Sequence, residues 1–182
     1  MLPPPPPPLP PMRAPQRAKI VHSVSSTSSN LFDSHEHIVL EQIDRPFQPC
    51  HMFFYGSLMD AKVIQAILAL CETPKTSPAT LSGFKIKMWG IYPALIPSDP
   101  SDQVVGCTWK VDNENHFKRL AAYETAVYTW VECEAHLDNE VILKDCRTFC
   151  WAGSPDSKEL EEGNFDLERY QKYFKSSVVR RK

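Results

Sequence analysis

One acidic side chain, Glu124, stands among apolar residues where a predicted helix ends and a predicted strand begins. Its flanking residues are Ala121, Ala122, Tyr123, Ala126, Val127 and Tyr128. A carboxylate in such surroundings loses hydration, which disfavours its charged form and raises its pKa toward the range useful for proton transfer. Glu124 is therefore a candidate general base, although a helix-end glutamate that faces water would fit the same sequence.

A second stretch, Met52-Phe-Phe-Tyr-Gly-Ser-Leu-Met-Asp60, runs from apolar residues through a glycine into a helix-like pattern. A strand that turns on Gly56 into a helix leaves several backbone N–H groups pointing the same way, without partners inside the chain. Such a cup can bind a carboxylate, a phosphate or a developing oxyanion. An ordinary strand-to-helix connection would show the same pattern.

The other polar residues give weaker signals. Ser57 has no evident base partner in the sequence, and no Gly-x-Ser-x-Gly motif is present. The triplet His35-Glu-His37 lies in a polar, irregular region and fits a solvated loop. The six cysteines include no Cys-x-x-Cys pair, so we expect reduced thiols that pack as small apolar side chains. We therefore expect neither a metal site nor a cofactor.

Composition restricts the class of partner. A net charge of −2 without a long basic block argues against nucleic-acid binding, which needs clustered lysines and arginines. No apolar stretch is long enough to cross a membrane, and prolines interrupt the start of the chain where a signal peptide would need a continuous apolar segment. The sequence thus predicts a cytoplasmic protein with a small-molecule partner.

Three regions differ in composition. Residues 1–47 hold nine prolines before Arg17 and then a serine-rich run, which predicts a disordered tail. Its six consecutive prolines can form a polyproline II segment, and an SH3 or WW domain could bind it. Residues 48–176 have the apolar content of one globular domain, and residues 177–182 form a short C-terminal tail.

Hydrophobic periodicity predicts an α+β domain. Alternating residues indicate strands over 49–55, 79–88, 104–111, 128–137 and 146–151, and helical spacing indicates helices over 60–71, from the cap Asp112 to Glu124, and over 165–174. Gly83 marks a bend inside the second strand. The run from Ile91 to Pro97 is apolar but broken by two prolines, so it suits a sheet edge or a cavity wall. About five to seven strands with flanking helices predict a small mixed β-barrel.

The sequence resembles the γ-glutamylcyclotransferase-like proteins. Phe53-Phe-Tyr-Gly-Ser-Leu58 is similar to their Tyr-Gly-Ser/Thr-Leu signature, and Leu120-Ala-Ala-Tyr-Glu-Thr-Ala-Val-Tyr128 resembles the later block that holds their catalytic glutamate. Between them lie matching blocks at Leu81-Ser-Gly-Phe84, Tyr92-Pro-Ala-Leu95 and Val105-Gly106. The resemblance covers residues 52–151 and is strongest to the avirulence-induced plant and fungal branch.

The resemblance implies the fold, the reaction and the site. It implies a small β-barrel with flanking helices and an acyltransferase-type cyclisation that releases 5-oxoproline from a γ-glutamyl compound. Glu124 would be the proton acceptor. The substrate would lie against the loop of Tyr55, Gly56, Ser57, Leu58, Met59 and Asp60, and against Tyr128. Tyr128 could orient Glu124, contact the substrate, or be a plain core tyrosine.

The chemistry of the residues agrees with this implication. Cyclising a γ-glutamyl amide requires its own α-amine to attack its γ-carbonyl, so the enzyme need not supply a nucleophile, a metal or a cofactor. One carboxylate with a raised pKa can take the proton from the amine and return it to the leaving nitrogen.

Two departures from the family pattern surround the expected site. Many relatives have glycine after the glutamate, where this chain has Thr125-Ala126, and a basic residue often follows the later tyrosine, where this chain has Thr129. These changes affect the expected substrate more than the expected fold.

Two alternative functions stay open. One is a non-catalytic small-molecule-binding module with the same fold, and the other assigns the function to the proline-rich tail.

Overall fold

The computed structural model describes residues 47–179. The predicted disordered tail, with the proline-rich segment that an SH3 or WW domain could bind and the His35-Glu-His37 loop, therefore lies outside the described residues, apart from Phe47. That side chain packs against the apolar core, with its ring centroid 5.8 Å from that of Phe117. Of the predicted C-terminal tail, residues 177–179 belong to the last helix.

The described chain forms strands, α-helices and one short 3-10 helix. In chain order they are β1 (Cys50–Phe54), the 3-10 helix (Ser57–Met59), α1 (Ala61–Leu68), β2 (Ser77–Ser82), β3 (Phe84–Trp89), β4 (Tyr92–Pro97), β5 (Gln103–Val111), α2 (Glu114–Glu124), β6 (Tyr128–Leu137), β7 (Ile142–Trp151), β8 (Glu161–Glu162), α3 (Leu167–Tyr173) and α4 (Lys175–Val179). None of the helices among these residues is long and apolar enough to cross a membrane.

Five strands close into a barrel in the order β1-β5-β2-β6-β7. All neighbours are antiparallel except β1 and β7, which run parallel. Strands β4, β3 and β8 form a separate three-stranded sheet. The predicted α+β class with a small barrel and flanking helices is confirmed.

Two of the three apolar clusters among the described residues hold the barrel and the helices together. One lines the barrel and includes Phe53, Leu81 and Ala135. The other joins β1 to the helices, with Ile64 of α1 and Leu120 of α2 fully buried. Because side chains alternate along a strand, Phe53 and its neighbour Phe54 enter different clusters, and β1 is bound to both. The segment that follows β1 therefore starts from a rigid position.

The structure corrects three details of the predicted elements. The strand predicted over 79–88 is two strands in different sheets, because Gly83 adopts a φ of 80° that turns the chain out of the barrel. Helix α1 ends at Leu68 rather than at residue 71, because Ala69 adopts the left-handed conformation. The cap of α2 is Asn113, whose side chain accepts from Asn115 N–H at 2.8 Å, and not Asp112.

The proline-broken segment lies where the sequence indicated. Strand β4 is at the edge of the three-stranded sheet. Its residues from Pro93 to Ile96 are nevertheless buried, and β4 lies next to the end of β1. The edge strand thus also forms a wall beside the segment that follows β1.

Candidate active site

The cup, residues 55–60, is a strand end followed by a single 3-10 turn. Met59 N–H donates to Gly56 O at 2.9 Å and Asp60 N–H donates to Ser57 O at 3.2 Å. The N–H groups of Ser57 and Leu58 come too early in the turn to have a carbonyl partner within it. They are the donors that the cup can offer to an anion.

Gly56 is required by the wall that faces it. A Cβ atom at this position would lie 2.9 Å from Pro93 Cγ of β4, closer than non-bonded carbon atoms approach. The absence of a side chain lets β4 pack directly on the cup. The cup and the edge strand are therefore one packed unit.

Asp60 closes the cup at its far end. Its side chain accepts from Lys62 N–H at 2.9 Å and caps α1, and its second oxygen accepts from Gln171 Nε2 at 2.7 Å and from Lys175 Nζ at 2.5 Å. Burial opposes the ionisation of Asp60, but these hydrogen bonds outweigh it and lower its pKa. Asp60 is thus an ionised anchor for the cup, with its oxygens already engaged.

Glu124 is the last residue of α2 and is only partly accessible to solvent. Loss of hydration raises the pKa of its carboxyl group to about 7. No hydrogen bond or ion pair joins this carboxyl group to another residue within 47–179. The raised pKa therefore has the direction that the sequence predicted, for the predicted reason.

A hydrogen bond connects the cup to the helix that carries Glu124. The hydroxyl oxygen of Tyr123, the residue before Glu124, lies 3.0 Å from Ser57 Oγ. Burial raises the pKa of Tyr123, and the negative charge of Glu124 adds to this rise. A contact between two residues that are 66 positions apart in the chain thus links the cup to the residue before the candidate base.

Two further tyrosines face the same carboxyl group. Burial raises the pKa of Tyr55 and of Tyr128, and the charge of Glu124 contributes to both shifts. Their hydroxyl protons are already used, because Tyr55 donates to Phe149 O at 2.6 Å and Tyr128 donates to Pro93 O at 3.1 Å. Both residues hold the walls of the site in place, and neither competes with a substrate for the Glu124 carboxylate.

The remaining residues of the cup differ in burial and in the groups that they expose. Leu58 is buried in the core and Met59 packs against it, so each can offer a substrate only its backbone. Tyr55 and Ser57 are the residues of the cup with a side-chain hydroxyl, and of the two it is Tyr55 that donates to a backbone carbonyl. Sequence reasoning did not single out Tyr123, which links Ser57 to α2, since a tyrosine in a helix carries no local signal of a partner.

A separate cavity of about 180 Å³ lies elsewhere on the barrel. It is lined by Gln48, Pro49, Cys50, Glu132, Lys144, Asp145, Cys146 and Arg147. None of these residues belongs to the cup or flanks Glu124, so the cavity is not part of this site.

The family of the chain follows from comparison with known proteins. The model of the family described as "Gamma-glutamyl cyclotransferase, AIG2-like" matches residues 52–170, which is more than half of the chain. The chain therefore belongs to this family, as its sequence blocks indicated. A search among curated proteins gave no match.

Solved structures support the same fold. One protein of Arabidopsis thaliana is 26% identical, with 74% of this chain and 79% of the other covered and a TM-score of 0.55. A second Arabidopsis thaliana protein is 25% identical, with 74% of this chain and 89% of the other covered and a TM-score of 0.51. A gamma-glutamyl cyclotransferase is 19% identical, with 58% of this chain and 68% of the other covered and a TM-score of 0.47.

The shifted pKa of Glu124 predicts a pH-dependent difference in stability. Between the usual pKa of 4.5 and the folded value of about 7, the unfolded chain ionises Glu124 while the folded chain keeps it protonated, so stability falls as pH rises. This loss of folding stability is absent below pH 4.5 and complete above pH 7. Glu124→Gln removes it, and the variant should gain up to about 3 kcal/mol relative to wild type between pH 4 and pH 8.

Denaturant unfolding of wild type and variant at pH 4 and pH 8 measures this difference in stability. The contributions of all other titrating groups are the same in both proteins and cancel in the comparison. A variant that is less stable than wild type by the same amount at both pH values would contradict the prediction and make Glu124 a structural hydrogen-bonding partner.

The residue after Glu124 stores backbone strain. Thr125 has a φ of 66° and a ψ of −180°, a conformation that is open almost only to glycine. Thr125→Gly should relieve this strain and stabilise the protein by about 1 kcal/mol, after the greater freedom of glycine in the unfolded chain is deducted. Thr125→Ala is the matched control, because it keeps the Cβ atom and should give no gain. Equal stabilisation by the two substitutions in denaturant unfolding would exclude strain as the cause.

Proposed function

We propose that this protein is a gamma-glutamyl cyclotransferase that converts a γ-glutamyl compound into 5-oxoproline and a free amine. The observation that carries the proposal is the pairing of Glu124, whose pKa is about 7, with the cup through the contact of Tyr123 with Ser57. Membership of the family supports the same reaction class. The substrate is a small molecule, and the residues of the domain supply all the catalytic groups.

The reaction needs one group that moves a proton twice. The α-amine nitrogen of the substrate attacks its own γ-carbonyl carbon, and the ionised carboxylate of Glu124 accepts the proton that the amine loses. A tetrahedral oxyanion forms. The carbonyl then re-forms as the bond from this carbon to the leaving nitrogen breaks, Glu124 gives its proton to the leaving nitrogen, and the ring that the attack closed is released as 5-oxoproline beside a free amine. Glu124 ends in the state in which it began.

A pKa of about 7 suits both halves of this cycle. A carboxylate with an ordinary pKa would be too weak a base to accept the amine proton, and a much more basic group would return it poorly to the leaving nitrogen. Near neutral pH, Glu124 is partly ionised in the free protein and is close to balanced between the two roles. Loss of hydration raises the pKa of Glu124, so the packing around the end of α2 sets this balance.

The cup supplies the second requirement, which is to hold the substrate in a bent conformation. Its N–H groups at Ser57 and Leu58, which have no acceptor within the 3-10 turn, would bind the α-carboxylate, which places the α-amine toward Glu124. Holding the attacking nitrogen and the attacked carbon close together in one pocket means that less entropy is lost in the chemical step itself. Because Tyr55 and Tyr128 donate to backbone carbonyls, they confine this space without taking part in proton transfer.

We also propose which part of the chain carries the activity and in which compartment it acts. We assign the catalytic function to the domain over residues 48–176 and place the protein in the cytoplasm. All six cysteines are free, four of them buried, which fits a reducing compartment. The Glu132 and Glu134 pair on β6 is exposed and has no part in the chemistry.

Replacing Glu124 separates catalysis from binding. We expect the purified wild type to release 5-oxoproline from at least one member of a panel of γ-glutamyl amines, amino acids and isopeptides. Glu124→Gln should lower kcat at least about 100-fold, because general base catalysis contributes that much. Glu132→Gln is the matched control, since it removes one exposed carboxylate from β6 and should leave kcat unchanged.

The same assay identifies the alternatives. A silent wild type that still binds γ-glutamyl compounds in calorimetry would make the protein a small-molecule-binding module. An active Glu124→Gln variant would keep the reaction but remove Glu124 from it. Partner binding that disappears when residues 1–47 are deleted, in a protein without either property, would assign the function to the tail.

A further inference from the structure

A negative charge is buried at the end of the cup. Asp60 is the last residue of the cup, its side chain is 5% exposed, and its lowered pKa keeps it ionised at neutral pH. Asp60 N–H donates to Ser57 O at 3.2 Å. A hydrogen bond across three residues keeps the two Cα atoms within about 7 Å of each other. The Asp60 carboxylate is therefore close to the N–H groups that the cup offers to an anion.

This charge opposes the binding that the proposed reaction requires of the cup. Two anions repel each other over a screening length of about 8 Å at physiological salt, and burial leaves less water to weaken the repulsion. A cup with an uncompensated Asp60 would therefore hold the carboxylate of a substrate poorly. The cup needs a positive charge beside Asp60.

Lys175, the first residue of α4, supplies such a charge. Its Nζ donates to Asp60 Oδ2 at 2.5 Å, and its side chain is 24% exposed. The amide of Gln171 and the backbone N–H of Lys62 also donate to Asp60, but both groups are uncharged. Within residues 47–179, Lys175 is the cation that forms an ion pair with Asp60. The neutrality of this end of the cup thus depends on a residue 115 positions away in the chain.

The other charged side chains on the helices around Asp60 are exposed to solvent. They are Lys62 of α1 and Glu168, Arg169 and Lys172 of α3. Water and salt screen exposed charges strongly, so these side chains have little effect on a buried carboxylate. None of these four described residues takes the place of Lys175.

We propose that Lys175 is a positioning residue of the site, which neutralises Asp60 so that the cup can bind the α-carboxylate of the γ-glutamyl substrate. Lys175 acts through Asp60 and does not touch the substrate. This inference rests on the proposed function, because the carboxylate is that of the proposed substrate. Since the same ion pair also fastens α4 to the cup, the test must separate charge from attachment.

Removing the positive charge is the first step of the test. Lys175→Met leaves Asp60 with uncharged donors only. With the γ-glutamyl compound that wild type cleaves best, KM should rise about threefold to tenfold, as for two anions about 7 Å apart in partly hydrated surroundings. The value of kcat should stay within about twofold, because the carboxylate is bound equally in the ground and transition states.

The double variant of Asp60→Asn with Lys175→Met separates charge from attachment. Both charges are then absent, and the side-chain oxygen of asparagine can still accept from Lys62 N–H. If Lys175 provides charge, adding Asp60→Asn to Lys175→Met should reverse most of the rise in KM. If Lys175 only fastens α4 to the cup, the double variant has lost the same ion pair, and its KM should stay as high as that of Lys175→Met.

Two further variants serve as controls. Lys175→Arg keeps the positive charge and should rescue the KM that Lys175→Met loses. Lys172→Met removes an exposed lysine from α3, changes the net charge by the same amount, and should leave KM at the wild-type value. Thermal melts of every variant check the fold. If Lys175→Met is unfolded at the assay temperature, Asp60→Asn alone decides, because it leaves the charge of Lys175 uncompensated beside the cup and should lower KM. An equal or higher KM would contradict the proposal.

The outcomes separate this inference from the proposed function. A double variant with the KM of Lys175→Met, a wild-type KM for Lys175→Met, or a fall in kcat at constant KM would overturn the role of Lys175 while leaving the cyclotransferase activity standing. A wild type that releases no 5-oxoproline would overturn the proposed function and this inference with it. A KM that rises in Lys175→Met and falls back in the double variant would support both.

Discussion

The site depends on one electrostatic constraint, the loss of hydration at the Glu124 carboxyl group. Desolvation is the cause of its raised pKa, and no described residue offsets it with a positive charge or a hydrogen bond. A group in this position destabilises the ionised folded protein, so the surrounding structure must be rigid enough to tolerate it. The strained backbone of Thr125, which follows Glu124 directly, must be held in place by the same rigid surroundings.

That rigidity comes from elements that meet at the cup. Strand β1 is bound to both apolar clusters, β4 packs on Gly56, and the C-terminal helices hold Asp60. Tyr55 and Tyr128 donate to backbone carbonyls, and Tyr123 is hydrogen-bonded to Ser57 and Tyr170, so these tyrosines form walls and links of the site. Glu124 is thereby left as the group that the proposed reaction would use for proton transfer.

The sequence was informative wherever one residue type and its immediate neighbours decide the outcome. Apolar neighbours predicted the desolvation of Glu124, the glycine turn predicted the cup, and two prolines predicted that β4 is an edge strand. The α2 cap was assigned one residue too early, since Asp112 and Asn113 are both good caps and only the backbone geometry selects between them. The contact of Tyr170 with Tyr123 spans 47 residues and depends on how α3 docks, which no local pattern encodes.

The most direct test of this account is the pKa of the Glu124 carboxyl group itself. Carbon-13 NMR of the side-chain carboxyl resonances, followed from pH 3 to pH 9 and assigned with Glu124→Gln, measures it without a substrate. The account predicts one glutamate that titrates near pH 7, well above the usual 4.5. A Glu124 resonance that titrates between pH 4 and pH 5 would show a hydrated carboxylate, and the assignment of Glu124 as a desolvated general base would be wrong.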